Sequence, residues 1–428
     1  MKKSMLKILS LALVAALLGG CVSALATEDA KEPVVIRIAW WGNQVRNERT
    51  AAVLDLYTQL NPHVTFQTEF TDWAGYWPKL QAEAPNGNMA DIIQMDYQYI
   101  AEYQKNNQLA DLSALVDGGF LSLENIAEGV LSSGMFDGKL YGLACGFNAP
   151  SVIVNQEMLD AAGVEVAFAP TYQDFLKIAP VVFEKTGAYG IHGIGTDQLL
   201  FIARGYGERL YNDENRLGIS RETLLKVFDV IEAARDSDFQ IPPDLETEKA
   251  AAGIEGSAIA THVAWNTNAW TNQIVTHQNA NDQKLSMVLQ WGMDDFTAEA
   301  NYLKPSMLWS ITEASTQKEV AADVLNFMTH SEEAFDIFLA ERGIPSSSVI
   351  ADHIKPTLSA VEQEVFDFVA KITDIAAPID PPQPAGAAEV GAAYSRILEE
   401  FTHKLIEKEA AVDQFIAEAN EILERANP

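Results

Sequence analysis

Among the side chains of this 428-residue chain that could do chemistry, the eight tryptophans are more informative than the 60 acidic residues. Trp41, Trp73, Trp265, Trp270 and Trp309 all fall at predicted strand ends or in the loops beside them. A sugar ring presents an apolar C–H face ringed by hydroxyls, so a site for it needs flat aromatic platforms with amides and carboxylates in the same layer. The loops "WWGN", "TDW" and "QMDYQ" contain that mixture. For any one of these tryptophans core packing competes with a place at a site. For Trp40 the core is favoured, because alternation along "RIAWW" turns its side chain opposite to that of Trp41.

Catalytic patterns are scarce. The seven histidines form no H-x-x-x-H pair, which excludes a zincin, and no G-x-S-x-G elbow serves a serine hydrolase. "GIHGIG" at 190–195 lacks the glycine order of a dinucleotide fingerprint and reads as a turn. A carboxylate pair such as Asp294 and Asp295 carries no weight among so many acidic residues. No metal site and no cofactor are expected. The formal net charge of -31, with no run of lysine and arginine, argues against binding nucleic acid or an anionic lipid surface.

The elements that must position the tryptophans follow from periodicity. "VVIRIAW" reads as a strand, 46–60 as a helix, "HVTFQTEF" as a strand, "DWAGYWPKLQAEA" as a helix after its opening turn, "DIIQM" as a strand and "YIAEYQKNN" as a helix. This alternation predicts a mostly parallel sheet wrapped by helices, whose strand-end loops gather on one edge where ligands bind. Further on, "PTYQDFLKIAPVVFEK" reads as a helix capped by Thr171, "AIATHVAWNTNAWTNQ" as a strand ending in a loop with Trp265 and Trp270, and "KPSMLWSIT" as a strand around Trp309. "IDPPQPAGAA" is a connector and Val390–Arg425 one or two helices. At this length, with 48% hydrophobic residues, two compact lobes are expected rather than one.

The start of the chain reads as a leader. "MKKSMLK" supplies positive charge, "ILSLALVAALL" an apolar stretch short for a membrane span, and "LLGGC" small residues before Cys21. Residues 1–20 are therefore expected to be removed, which takes three lysines and shifts the net charge from -31 to -34. Leu-Gly-Gly-Cys resembles a bacterial lipobox, with Cys21 as the acyl acceptor, and 21–33 reads as a flexible tether. Cys145, the other cysteine, reads as a buried core thiol.

Taken together and in order, the lipobox, "WWGNQVRNERT", "YTQLNPHVTFQTEFTDWAGYWPKL", "ADIIQMDYQYIAEYQKNNQLADL", "PTYQDF", "AWNTNAW" and "ERGIPSS" resemble the extracellular solute-binding proteins of family 1, lipoproteins that capture substrate for carbohydrate ABC importers. Within that family the double tryptophan with a following arginine, the "DW…Y" turn and "ERGIP" are most similar to the branch with oligogalacturonide-type binding proteins. One departure is Ala90-Asp91, where relatives usually have Pro-Asp. The resemblance implies a two-lobe, type II periplasmic-binding-protein-like α/β fold with a hinge and a sugar in the cleft. By matching segments it implies a first lobe of 34–147 and 312–343 and a second of 148–311 and 344–428.

The expected function is capture of a carbohydrate, an oligosaccharide of neutral or mixed charge, by a monomer anchored through Cys21 on the outer face of the membrane, for delivery to permease subunits. Trp41 and Trp265 are the expected stacking platforms, with Trp73, Trp270 and Trp309 as further candidates. Asn43, Asp72, Gln94, Asp96 and Asn266 are the expected hydroxyl partners. Arg46 and Arg342 either meet a uronate carboxylate or form structural ion pairs. A secreted glycoside hydrolase or lyase would share the leader, acidic surface and aromatic cleft, and a sensory lipoprotein would differ only in its partner.

Overall fold

The computed structural model describes residues 32–42 and 44–427. The leader, Cys21, most of the tether and Asn43 lie outside the described residues. No helix among the described residues is long and apolar enough to cross a membrane.

The first sheet has six strands. β1 (Val34–Trp41) pairs in parallel with β2 (Val64–Thr71) from Val34↔Val64 to Trp41↔Thr71, and on its other side with β3 (Ile92–Met95). The period-2 pattern divides β1 cleanly between two faces. Ile36, Ile38 and Trp40 enter one core cluster, while Ala39 and Trp41 enter another on the opposite face. Trp40 is fully buried, stacks on Phe70 at 5.2 Å and donates its indole N–H to Asn47 Oδ1 at 2.9 Å.

The rest of that sheet comes from later in the chain. β4 (Leu143–Asn148) runs straight into β5 (Pro150–Asn155), the central strand of a second, antiparallel sheet with β6 (Asn266–Trp270) and β7 (Leu285–Val288). The crossing between sheets is thus a single residue, Ala149. β8 (Lys304–Ile311) then returns to the first sheet and lies antiparallel between β3 and β4, and β9 (Ile344–Pro345) pairs with β4 at the edge.

Two expectations change. The first sheet is parallel only along β2-β1-β3, because the strand that fills its centre arrives from the second lobe running the other way. The implied boundaries at 311/312 and 343/344 also move: β8 and β9 both belong to the first sheet, so the chain re-enters the first lobe before Lys304 and leaves it after Pro345. The helix Ala360–Thr373 packs on the second-lobe helix Ile274–Asn279, and the final pair Ala387–Thr402 and Lys408–Ala426 packs on Arg221–Arg235.

The second lobe's core gathers Tyr172, Phe175, Trp265 and Trp291 with the apolar faces of Arg221–Arg235 and the final helix pair. The helix Tyr172–Thr186 starts in a reciprocal capping box between Thr171 and Asp174, which satisfies two N-terminal N–H groups.

Candidate functional site

The carboxyl ends of β1, β2 and β3 bring three loops together as an aromatic wall. The Trp41 ring lies 5.1 Å from Trp73 at 85°, 5.3 Å from Tyr76 at 61° and 5.3 Å from Trp77 at 45°. Edge-to-face contacts of this kind suit the ring quadrupoles. Tyr99 closes the wall at 4.1 Å from Trp77. Trp41 is only 7% exposed, whereas Trp73 is 42% exposed. The free aromatic face is therefore that of Trp73, and Trp41 is the ring that holds it in place.

Two carboxylates sit on this edge because each caps a helix. Asp72 Oδ1 accepts from the Gly75 N–H at 2.8 Å, at the start of Trp73–Glu83. Asp96 Oδ1 accepts from the Gln98 N–H at 2.9 Å, at the start of Tyr97–Lys105. Burial pushes the Asp96 carboxyl up, while the Gln98 N–H and the Lys304 ammonium pull it down.

Behind the wall lies a polar network rather than a ligand contact. Gln94 is fully buried, donates to the Trp41 carbonyl at 3.1 Å and accepts from Arg342 Nε at 3.3 Å. Arg342 also donates to Thr50 Oγ1 at 2.8 Å, and its guanidinium covers the Trp309 and Phe338 rings at 5.3 Å each. Glu341 bridges the two arginines, at 2.9 Å to Arg46 Nε and 3.4 Å to Arg342 Nη1. Burial lowers the Arg342 pKa to about 10, against the pull of Glu341. Of the two readings of Arg46 and Arg342, the structural ion pair is the one present. Gln94, fully buried, and Trp309, 2% exposed, stand in the core behind the wall.

In the second lobe the expected pair separates. β6 starts at Asn266, so Trp265 stands at the head of the strand and faces inward. It is fully buried, stacked on Phe175 at 25° and edge-on to Trp291, with no face left for a sugar. Asn266 is likewise buried: its Oδ1 accepts from the Ile191 N–H at 2.9 Å and its Nδ2 donates to the Ile191 carbonyl at 2.7 Å, tying two backbone segments. Trp270, at the tail of β6, is part-exposed, with Tyr302 edge-on and Lys304 Nζ 5.2 Å above its ring.

Trp270 lies opposite Pro150, and Lys304 opposite Asn148, so both stand beside the Ala149 crossing at the base of the interlobe cleft. A cavity of about 250 Å³ opens there, lined by Asp96 and Tyr97 of the first lobe and Asp197, Trp270, Tyr302 and Lys304. The connector Ile379–Gln383 forms its remaining side. This strap is held from both lobes. The Tyr97 hydroxyl donates to the Asp380 carbonyl at 2.5 Å, and Arg204 Nη1 pairs with Asp380 Oδ1 at 2.7 Å while Nη2 donates to the Pro378 carbonyl at 3.0 Å.

Tyr97, Tyr99, Trp77, Tyr302, Lys304, Arg204 and Asp380 are absent from the residues that the sequence singles out. The signal available for Tyr97 and Tyr99 is "DYQYI" itself, since both rings fall in the first turn of the helix that follows β3. Among the described residues no group of three His, Cys, Asp or Glu side chains is placed to hold a metal.

Comparison with known proteins agrees with the two-lobe fold. The family model described as bacterial extracellular solute-binding protein matches residues 52–360. An extracellular solute-binding protein of family 1 from Alicyclobacillus acidocaldarius is 27% identical, with 92% of this chain and 100% of that one covered, at a TM-score of 0.83. A periplasmic oligogalacturonide-binding protein from Yersinia enterocolitica shares the fold at 19% identity, the same coverage and a TM-score of 0.75. A curated binding protein of Brucella abortus is 23% identical over 189 residues, 42% of this chain and 45% of the relative, so the match spans less than half of that protein.

Proposed function

From the premise that this chain belongs to the bacterial extracellular solute-binding proteins, we propose that it captures an oligosaccharide in the interlobe cleft and delivers it to the permease of an ABC importer. It does so as a monomer held on the outer face of the membrane by a lipid on Cys21. The observation that carries this reading is the cleft base: the cavity beside the lobe crossing offers the part-exposed Trp270 with Asp96 and Asp197 as acceptors for hydroxyl groups, and the aromatic wall of the first lobe exposes Trp73.

A ligand spanning both surfaces favours the closed form by the contacts it makes only there, and the permease reads that form. The strap couples the lobes through Tyr97, Asp380 and Arg204, so closure moves three chain segments together.

Incubating the purified chain with a panel of pectin-, xylan- and starch-derived oligosaccharides tests the reading. A stoichiometric thermal shift with the sugar recovered intact is the expected result, and turnover of the sugar overturns it in favour of a hydrolase or lyase. Incorporation of a fatty-acid analogue, lost in Cys21→Ala, tests the anchor.

A further inference from the structure

We infer that the cleft selects uncharged saccharides and excludes uronides, with Asp96 and Asp197 as the residues that impose the choice; this rests on the reading of the cleft as a sugar site.

A uronate carboxylate is recognised best by a guanidinium fork whose N–H groups are available to it. The arginines nearest the aromatic wall are both directed at Glu341, and Arg342 spends its other donors on Thr50 and Gln94. A uronide reaching for either would strip a buried carboxylate of its partners. Arg204, the guanidinium nearest the cavity, is turned onto Asp380 and the Pro378 and Ala300 carbonyls.

What then lines the cavity is one ammonium, Lys304, and three carboxylates, of which Asp380 is paired with Arg204 while, among the described residues, Asp96 and Asp197 have no cation in hydrogen-bonded contact. Lys304 lies over the Trp270 ring and within electrostatic reach of Asp96. Among the described residues Asp197 accepts no hydrogen bond, and Asp96 uses one oxygen on its own helix. Ionised carboxylates only accept, and vicinal sugar hydroxyls donate, so a neutral ring satisfies both. A uronide would instead add a fourth carboxylate to a site whose one lining cation among the described residues is Lys304, and like charges brought together there set specificity by repulsion. The same fold serves an oligogalacturonide-binding protein, so the preference lies in these side chains and not in the architecture.

The test is calorimetric titration of the full chain with neutral gluco-, xylo-, manno- and galacto-oligosaccharides and with oligogalacturonides and oligoglucuronides of matched length, at low and high salt. At least one neutral sugar should bind, with every uronide at least tenfold weaker. Asp96→Asn with Asp197→Asn, which keeps the helix cap, should narrow that ratio at least fivefold and flatten the salt dependence of uronide binding. A uronide that binds tighter than every neutral sugar overturns the inference and leaves the sugar reading standing. An unchanged ratio in the double variant overturns the assignment to these two residues. Binding of no sugar of either kind overturns the reading beneath it, and the inference with it.

Discussion

Each lobe presents tryptophans around a strand of its sheet, and the two lobes dispose of them differently. In the first, Trp40 and Trp41 both end β1, and alternation sends them to opposite faces, where both are buried. The ring left at the surface is Trp73, from the next loop. In the second, Trp265 precedes β6 and Trp270 ends it, so the first falls into the core and the second reaches the cleft base. Ending a strand does not by itself expose a tryptophan: Trp41 and Trp270 both do so, and the rings packed around Trp41 bury it while Trp270 stays part-exposed.

The sharpest way to break this comparison is to truncate the second-lobe pair separately. Trp265→Ala should lose about 3–5 kcal/mol of stability in urea unfolding, as expected for emptying a fully buried aromatic site. Trp270→Ala should leave the unfolding midpoint nearly unchanged and weaken sugar binding at least tenfold. Trp41→Ala should resemble Trp265→Ala, because three rings close around it. Equal stability losses at positions 265 and 270 would sink the distinction.

The first lobe's wall can be attacked from behind. Glu341→Gln leaves Arg46 and Arg342 without the anion they share, and should cost about 3 kcal/mol in the same unfolding experiment. A neutral result would mean that the pair does not hold the wall.

The second lobe should also carry a pH signature. Burial lowers the His192 pKa to about 4, and its Nδ1 accepts from the Ile194 N–H. The folded chain thus keeps this ring neutral while the unfolded chain protonates it near 6.5, its ordinary value. Its contribution is constant above that pH. Stability should then fall by about 2–3 kcal/mol as pH drops from 6.5 to 4, and His192→Asn should remove this part of the slope. The smallest effect is expected at the strap: Tyr97→Phe deletes one hydrogen bond between a lobe and Asp380, and should shift sugar affinity by about 1 kcal/mol with the melting temperature held.

Much of this was legible in the chain. From Val34 to Lys105 the alternation of strand and helix is written in local periodicity, and the structure follows it closely. Local pattern also separates Trp40 from Trp41. It misleads at "AIATHVAW", whose apolar run folds as turns, with His262 at a φ of 59°, so that the strand starts at Asn266 rather than ending at Trp265. The cavity residues were harder to see for another reason. Asp96, Asp197, Lys304 and Asp380 come from four distant segments, and only the closing of both sheets brings them together. The pairing of Arg46 and Arg342 with Glu341 is of the same kind, since one partner lies 295 residues from the other.

The position of β8 has a consequence for how the chain comes to be folded. It lies between β3 and β4, at the middle of the first sheet, although it is made long after both. The lobe cannot close its sheet until residues 304–311 have been synthesised, and the second lobe waits in turn for the helices that end at Ala426. The first lobe can close once β9 has been made, whereas the second stays incomplete until the helix Lys408–Ala426 has left the ribosome, so the two lobes finish in chain order.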